Sequence, residues 1–573
     1  MKKLLKYIRG YIPEAIFGPI LKLCEATLEL IVPLIIAAII DGGINKGDTG
    51  YAVRMSLWLL LLGAAGLAFS VTAQYFSAKA AVGFVTKMRS ALFAHIGTLS
   101  YSEIDKLGPS TMITRMTSDS NQVQTGINLT LRLLLRSPFV VFGAMIMAFT
   151  IDSGTAGIFA ITIGALSVVV FGIMLISIPL YKKVQSGVDG VVVKTRENLS
   201  GARVIRAFCK EDSEQADFRK RSNQLSSSQK FVGRISALMN PVTYIIINVA
   251  IVVLIYTGAI EVDSGDLTNG QVVALYNYMS QILVELIKLA SLIITITKSV
   301  ASAGRISSVF DIQSSINEGT EEQIPENSEY AVEFDGVSLV YGGAGDASLS
   351  DISFKVKRGE TVGIIGGTGS GKSSLVNLIP RFYDATEGSV SLFGINVKNY
   401  TEDTLRDAIG IVPQTAVLFA GTIRDNMRFG NEDATDEQIW RALEIAQAAD
   451  VVRDKGGLDA RVEQGGKNLS GGQRQRLTIA RAIVKSPDIL ILDDSASALD
   501  FATDAALRSA IRSMDGDTTV FIVSQRAAGV MYADRIIVLD DGEASGIGRH
   551  EELIKDNSVY REIYASQFKE EVQ

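Results

Sequence analysis

The chain has 573 residues, of which 47% are hydrophobic and 20% charged, and a mean hydropathy of +0.25. It is long enough for two or more domains and too apolar for an ordinary soluble enzyme. A net charge of −7 offers no general attraction for a phosphate backbone, which argues against nucleic-acid binding and requires any nucleotide to be held locally.

The apolar residues concentrate before about residue 300, where six segments near 13–41, 52–84, 127–151, 155–181, 240–260 and 270–298 are long enough to cross a bilayer. The first follows Lys2, Lys3, Lys6 and Arg9 but is too long for a signal peptide and lacks a small-residue cleavage site, so it reads as a retained helix. Basic residues mark the second-to-third connection (Lys87, Arg89, Lys106, Arg115) and the fourth-to-fifth (Lys182, Lys183, Arg203, Arg206, Lys210), whereas the third-to-fourth turn at 152–154 and the fifth-to-sixth turn at 261–270 have none. The positive-inside rule then puts both termini and both long loops in the cytosol. These loops keep helical periodicity, so the membrane helices are expected to run on below the bilayer, each pair ending in a transverse helix around Tyr101 to Gly108 and around Phe208 to Phe218; a solvated helical hairpin is the alternative. Tyr51 and Trp58 fit an outer interfacial belt.

Charges inside the spans call for a function or a partner. Lys22, Glu25 and Glu29 share one face of the first helix, either as the wall of a polar substrate cavity or with Lys22 and Glu25 simply paired. Glu285 and Lys288 are spaced to neutralise each other, and Arg132 and Arg136 are expected to snorkel toward the cytosol. Cys24 and Cys209 read as two inert thiols.

After an acidic linker near 312–328, the pattern turns to strands separated by turns, giving domains 1–311 and 329–573. The strand Glu360 to Ile365 leads into Gly366, Gly367, Thr368, Gly369, Ser370, Gly371, Lys372, Ser373 and Ser374, then a helix. This is the phosphate-binding loop in its strand–loop–helix setting, with Lys372 for the β- and γ-phosphates and Ser373 for Mg²⁺. A second apolar strand, Ile489 to Asp493, ends in a carboxylate placed to hold that Mg²⁺.

Between them lies Leu469-Ser470-Gly471-Gly472-Gln473, and here the chain resembles the ATP-binding cassette superfamily. The resemblance implies that Ser470, Gly471, Gly472 and Gln473 serve a nucleotide bound by an opposing subunit. It implies also that Tyr341 stacks on adenine, that Gln414 contacts Mg²⁺, and that Asp500 closes the D-loop Ser497-Ala498-Leu499-Asp500. Six helices before the cassette resemble a B-family half-exporter: an α-helical transmembrane domain followed by an α/β P-loop nucleotide-binding domain, with ATP and Mg²⁺ as cofactors. Two positions depart from the family. Asp494 stands where the family has its general-base glutamate, and Gln525 where it has a histidine. A base one methylene too short falls on the order of 1 Å short of hydrogen-bond reach of the attacking water and hydrolyses slowly.

The expectation is therefore one half of a heterodimer with a homologous half-transporter in the plasma membrane, exporting amphiphilic drugs or lipids. Its own site is weak and its signature serves the partner. Peptide cargo, or a nucleotide-gated channel or ATP sensor that does not pump, are the alternatives. Glu25 and Glu29 would favour cations if they line the cavity.

Overall fold

The computed structural model describes residues 3–342, 345–514 and 517–568. The chain divides into two compact units, 1–97 with 109–312, and 98–108 with 313–573.

The first unit is entirely helical. Its spans are Leu4–Ile44, Thr49–Gly97, Pro109–Ile151, Ser153–Ser200, Glu211–Ser264 and Asn269–Phe310, from 41 to 54 residues each. At 1.5 Å per residue these are roughly 60–80 Å long, about twice the ~30 Å of a hydrocarbon core, so the helices do continue past the apolar stretches. Their starts follow local chemistry. The Asp152 carboxylate accepts from the Thr155 N–H to open the fourth span, and Thr268 with Gln271 forms a capping box at the start of the sixth.

The bundle core is built from small and branched residues that let helices approach closely. Gly126 on the third span faces Ser299 on the sixth so tightly that an added Cβ would lie 2.2 Å from the serine Oγ. Tyr278, fully buried, donates its hydroxyl to the Leu30 carbonyl at 2.6 Å and so joins the sixth span to the first.

The second transverse helix lies earlier in the chain than expected. It is Ala202–Ala207, while 208–210 form the turn and Glu211–Ala237 begins the descent to the next span. Gly201 interrupts the long preceding helix, and Cys209 takes a left-handed backbone with φ 50° at the corner. Both cysteines are free thiols.

The second unit is an α/β domain. Its main sheet runs in the order Glu543–Gly548, Arg535–Asp540, Thr361–Gly366, Thr519–Ser524, Ile489–Asp493, Ile409–Val412. All neighbours in it are parallel except the first pair. The central strands are nearly continuous apolar runs because helices cover both faces. A smaller antiparallel sheet flanks it, with Tyr330–Leu339 paired to Leu349–Lys357 and to Glu387–Leu392.

The short helix Tyr101–Leu107 belongs to this second unit although its sequence lies between two membrane spans. Tyr101 stacks on Phe382 with centroids 4.4 Å apart, and Tyr383 donates its hydroxyl to Asp105 at 2.6 Å. Glu103 is buried, accepts from the Ser100 hydroxyl, and takes the Ser315 N–H at 3.4 Å. The expected linker also packs here: Gly319 and Thr320 donate to the carbonyls of Tyr400 and Asn399.

Candidate functional site

Strand Thr361–Gly366 is buried almost throughout and delivers the chain into a loop that only glycine can follow. A Cβ on Gly366 would meet the Leu539 carbonyl at 2.1 Å, and one on Gly371 would meet the Ser348 carbonyl at 2.6 Å. Gly369 and Gly371 have φ of +87° and +92°, a region that costs other residues strain. The loop curls round a cavity of about 240 Å³ lined by Thr368, Gly369, Gly371, Lys372, Ser373, Ser374, Gln414, Asp493, Asp494 and Gln525. Ser348 and Val523 complete the lining; neither carries a motif that would single it out in the sequence.

Within the cleft, Lys372 is buried and its Nζ donates to the carbonyls of Gly366 at 3.0 Å and Gly367 at 2.5 Å. Burial pushes its pKa down, against the raising pull of Asp494 and Asp493. Burial pushes Asp493 up, with the Ser373 hydrogen bond working the other way; the Ser373 hydroxyl donates to Asp493 at 3.1 Å. These groups fit MgATP: a glycine cradle, a buried ammonium held on carbonyls, and a hydroxyl beside a carboxylate whose charge is poorly solvated. Ser373 and Asp493 would hold the Mg²⁺, whose chemistry is to neutralise charge on the β- and γ-phosphates.

Asp494 sits at the cleft wall with φ 45°, a left-handed conformation that aspartate tolerates better than most residues. Burial raises its pKa, opposed by Lys372, a hydrogen bond from Gln414 and the Arg526 charge. The Gln525 amide donates to its Oδ2 at 3.4 Å. The two residues that depart from the family pattern therefore face each other in one place. Arg526, whose guanidinium also covers the Phe501 ring at 5.5 Å, adds a charge beside this pair whose role was not read from the sequence.

Tyr341 lies edge-on to Tyr383, centroids 5.0 Å apart, and donates to the Ser374 hydroxyl at 3.0 Å, which places its ring beside the loop. Ser470, Gly471, Gly472 and Gln473 are not among the residues lining the cleft. They form the start of helix Gly471–Val484, with Ser470 and Gly471 exposed and Gly472 and Gln473 half-buried, and Ser470 and Gln473 make a capping box. A Cβ on Gly472 would come within 3.1 Å of the Ala498 carbonyl, so the signature abuts the D-loop. Asp500 caps the following helix, accepting from the Thr503 N–H at 2.9 Å and its hydroxyl at 2.8 Å.

In the helical unit Lys22, Glu25, Glu29, Arg136, Glu285 and Lys288 are each paired. Lys22 donates to Glu25 at 2.5 Å and to the Ser70 hydroxyl at 2.9 Å. Glu29 pairs with Arg136 at 2.5 Å. Arg136 does not snorkel: it is 8% exposed and reaches from the third span to Glu29 on the first and, at 2.8 Å, to Glu285 on the sixth. Glu285 pairs with Lys288 as expected, and also accepts from the Ser137 hydroxyl at 2.8 Å. The two candidate cavity carboxylates thus each have a cation already, which removes the basis for a simple preference for cationic cargo.

Comparison with known proteins places both units. Residues 15–286 match the family of ABC transporter transmembrane regions and residues 349–497 the ABC transporter family of the cassette. Along 98% of its length the chain is 37% identical to the "Uncharacterized ABC transporter ATP-binding protein Rv1273c" of Mycobacterium tuberculosis, covering 97% of that protein. The chain is an ABC transporter. It is also 34% identical to the ABC transporter ATP-binding protein YfiB of Bacillus subtilis over 99% of both chains. To the ATP-dependent lipid A-core flippase of Desulfotalea psychrophila it is 33% identical over 84% of each. In fold this ABC transporter resembles a bacterial Atm1-family ABC exporter solved with ATP bound, with a TM-score of 0.80 over 99% of both chains at 23% identity. It has the B-family arrangement of six membrane-spanning helices followed by a nucleotide-binding domain, and is a multi-pass membrane protein in which ATP hydrolysis is coupled to transport.

Proposed function

We propose that this ABC transporter exports amphiphilic molecules, drugs or lipids, across the plasma membrane as one half of a heterodimer, with its termini and long loops in the cytosol. The observation that carries the reading is Asp494: the carboxylate in the general-base position is a methylene short and has the Gln525 amide beside its Oδ2. Lys372 and the glycine cradle bind and orient the triphosphate. Asp494 cannot close on the attacking water, and a shortfall of about 1 Å lowers the rate by up to ~10²-fold. Gln525 still donates a hydrogen bond toward the γ-phosphate region but brings no imidazolium charge. Meanwhile the Ser470–Gln473 signature is intact and lies outside its own cleft, ready to complete the ATP site of another subunit that supplies a glutamate and a histidine.

A lipid or lipid-like cargo is supported by the relatives named lipid A-core flippases. The positive loops support the orientation.

The test is purification of the full-length chain from its native host. Recovery with a homologous half-transporter, and ATPase activity that survives Asp494→Ala in this chain but not removal of the partner's own base, is the expected result. Loss of all turnover in Asp494→Ala, or brisk transport by this chain alone, overturns the heterodimer reading.

A further inference from the structure

The Arg136 web has more structure than charge neutralisation requires. It gathers Glu29, Arg136, Ser137, Glu285 and Lys288 from three spans. Glu29, Arg136, Ser137 and Glu285 lie about fifteen residues from the ends of their spans remote from the long loops, and Lys288 lies about nineteen. At 1.5 Å per residue that is roughly 22 Å for the first four and roughly 28 Å for Lys288. Within a hydrocarbon slab of ~30 Å the web therefore runs from about 8 Å inside the nearer boundary up to it at Lys288. The centre of the web is closed: Arg136 is 8% and Glu285 3% exposed. Its two ends are open, with Glu29 39% and Lys288 46% exposed.

The open ends carry opposite charges. Lys288 spends one of its three N–H donors on Glu285 and has two left. Glu29 gives one oxygen to Arg136 and has acceptor capacity left. Arg136 Nε, buried, has no acceptor. Two carboxylates and two cations sum to zero, so the web attracts neither an anion nor a cation over distance. Bringing a singly charged ligand to it leaves one uncompensated charge in a low-dielectric place, whereas a ligand with both charges meets a complement at each end.

Resting on the amphiphile-export reading, we propose that Glu29 and Lys288 form a head-group site selective for zwitterionic amphiphiles, such as a phospholipid with a phosphate and an ammonium. The ammonium binds at Glu29 and the phosphate at Lys288. The shallow depth lets a head group from the leaflet on the side of the long loops enter while its acyl chains remain among lipid. Arg136 and Glu285 position the two ends and do not themselves take the ligand's charges.

The probe is lipid retention by the full-length chain, in the assembly in which it purifies, from micelles containing equimolar phosphatidylethanolamine, phosphatidylglycerol and a trimethylammonium diacyl lipid with matched acyl chains. Native mass spectrometry reads the bound species. The wild type retains the zwitterion at least 5-fold over either singly charged lipid. Glu29→Gln, isosteric and still able to accept from Arg136, weakens retention of the zwitterion and the cationic lipid and spares the anionic one. Lys288→Met, at the exposed end of the web, weakens the zwitterion and the anionic lipid and spares the cationic one. Equal retention of the three lipids by wild type, a preference for the anionic lipid, or a head-group profile unchanged in both variants overturns the site; a partner helix covering the web would give the last of these. Lipid retention needs no hydrolysis, so its failure leaves the weak-site heterodimer standing. Conversely, the ATPase experiments on Asp494 do not depend on head group.

Discussion

At the scale of single residues, the geometry around Asp494 makes a quantitative expectation. In the proposed heterodimer, with the partner's base replaced by glutamine, Asp494→Glu with Gln525→His adds the missing methylene and the imidazole. Steady-state ATPase should rise at least 10-fold, within the ~10² that a 1 Å misplacement costs. Nucleotide binding, measured by a fluorescent ATP analogue, should stay within about 2-fold, because Lys372, Ser373 and Asp493 are untouched. Lys372→Ala removes the buried ammonium and should abolish analogue binding at this site while leaving the partner's site occupied.

The phosphate loop, the strand Ile489–Asp493 and the departures at 494 and 525 were legible in the sequence because each is a local pattern whose backbone setting the sequence also carries. Arg136 was not. Its partners lie 107 and 149 residues away along the chain, and local hydropathy around it looks like that of any arginine near a helix end.

At the scale of elements, the short helix Tyr101–Leu107 is held to the nucleotide-binding unit by the Tyr101–Phe382 stack and the Tyr383–Asp105 hydrogen bond. Tyr101→Ala removes an aromatic pair with a typical contribution of 0.5–1.5 kcal/mol. Transport per ATP hydrolysed should fall more than ATP hydrolysis itself, read by parallel flux and phosphate-release assays.

Glu103 gives this helix a pH dependence. Burial would raise its pKa, but hydrogen bonds from Ser100 and from the N–H and hydroxyl of Ser315 outweigh it and hold the group below the ordinary glutamate range. A carboxyl depressed on folding contributes stability above its unfolded value, and that contribution is lost as pH falls through the folded one. Glu103→Gln should therefore lower the thermal midpoint of the full chain at neutral pH, and the gap from wild type should close in acid, once the wild-type group is protonated in the folded state as well. Helical periodicity located this element correctly. It set the second transverse helix later, around Phe208 to Phe218, whereas the long helix ends at Gly201 and the short one is Ala202–Ala207.

At the scale of the whole molecule, the six spans and the cassette were legible from hydropathy and motif order. The membership of 98–108 in the second unit was not, because composition assigns it to the membrane half between two apolar helices. Orientation can be read chemically. Cys209 is exposed at the corner after Ala202–Ala207. In a Cys24→Ser background, a membrane-impermeant maleimide should label inverted vesicles and leave intact cells unlabelled; the opposite pattern reverses the topology.

The placement of Tyr101–Leu107 also bears on how the cassette can be handled apart from the membrane. A fragment cut at the boundary suggested by composition, near residue 313, would present bare aromatic faces at Phe382 and Tyr383 and leave the Ser315 amide without its carboxylate. Such a truncation should be prone to self-association, and supplying residues 98–108 as a separate peptide should suppress it.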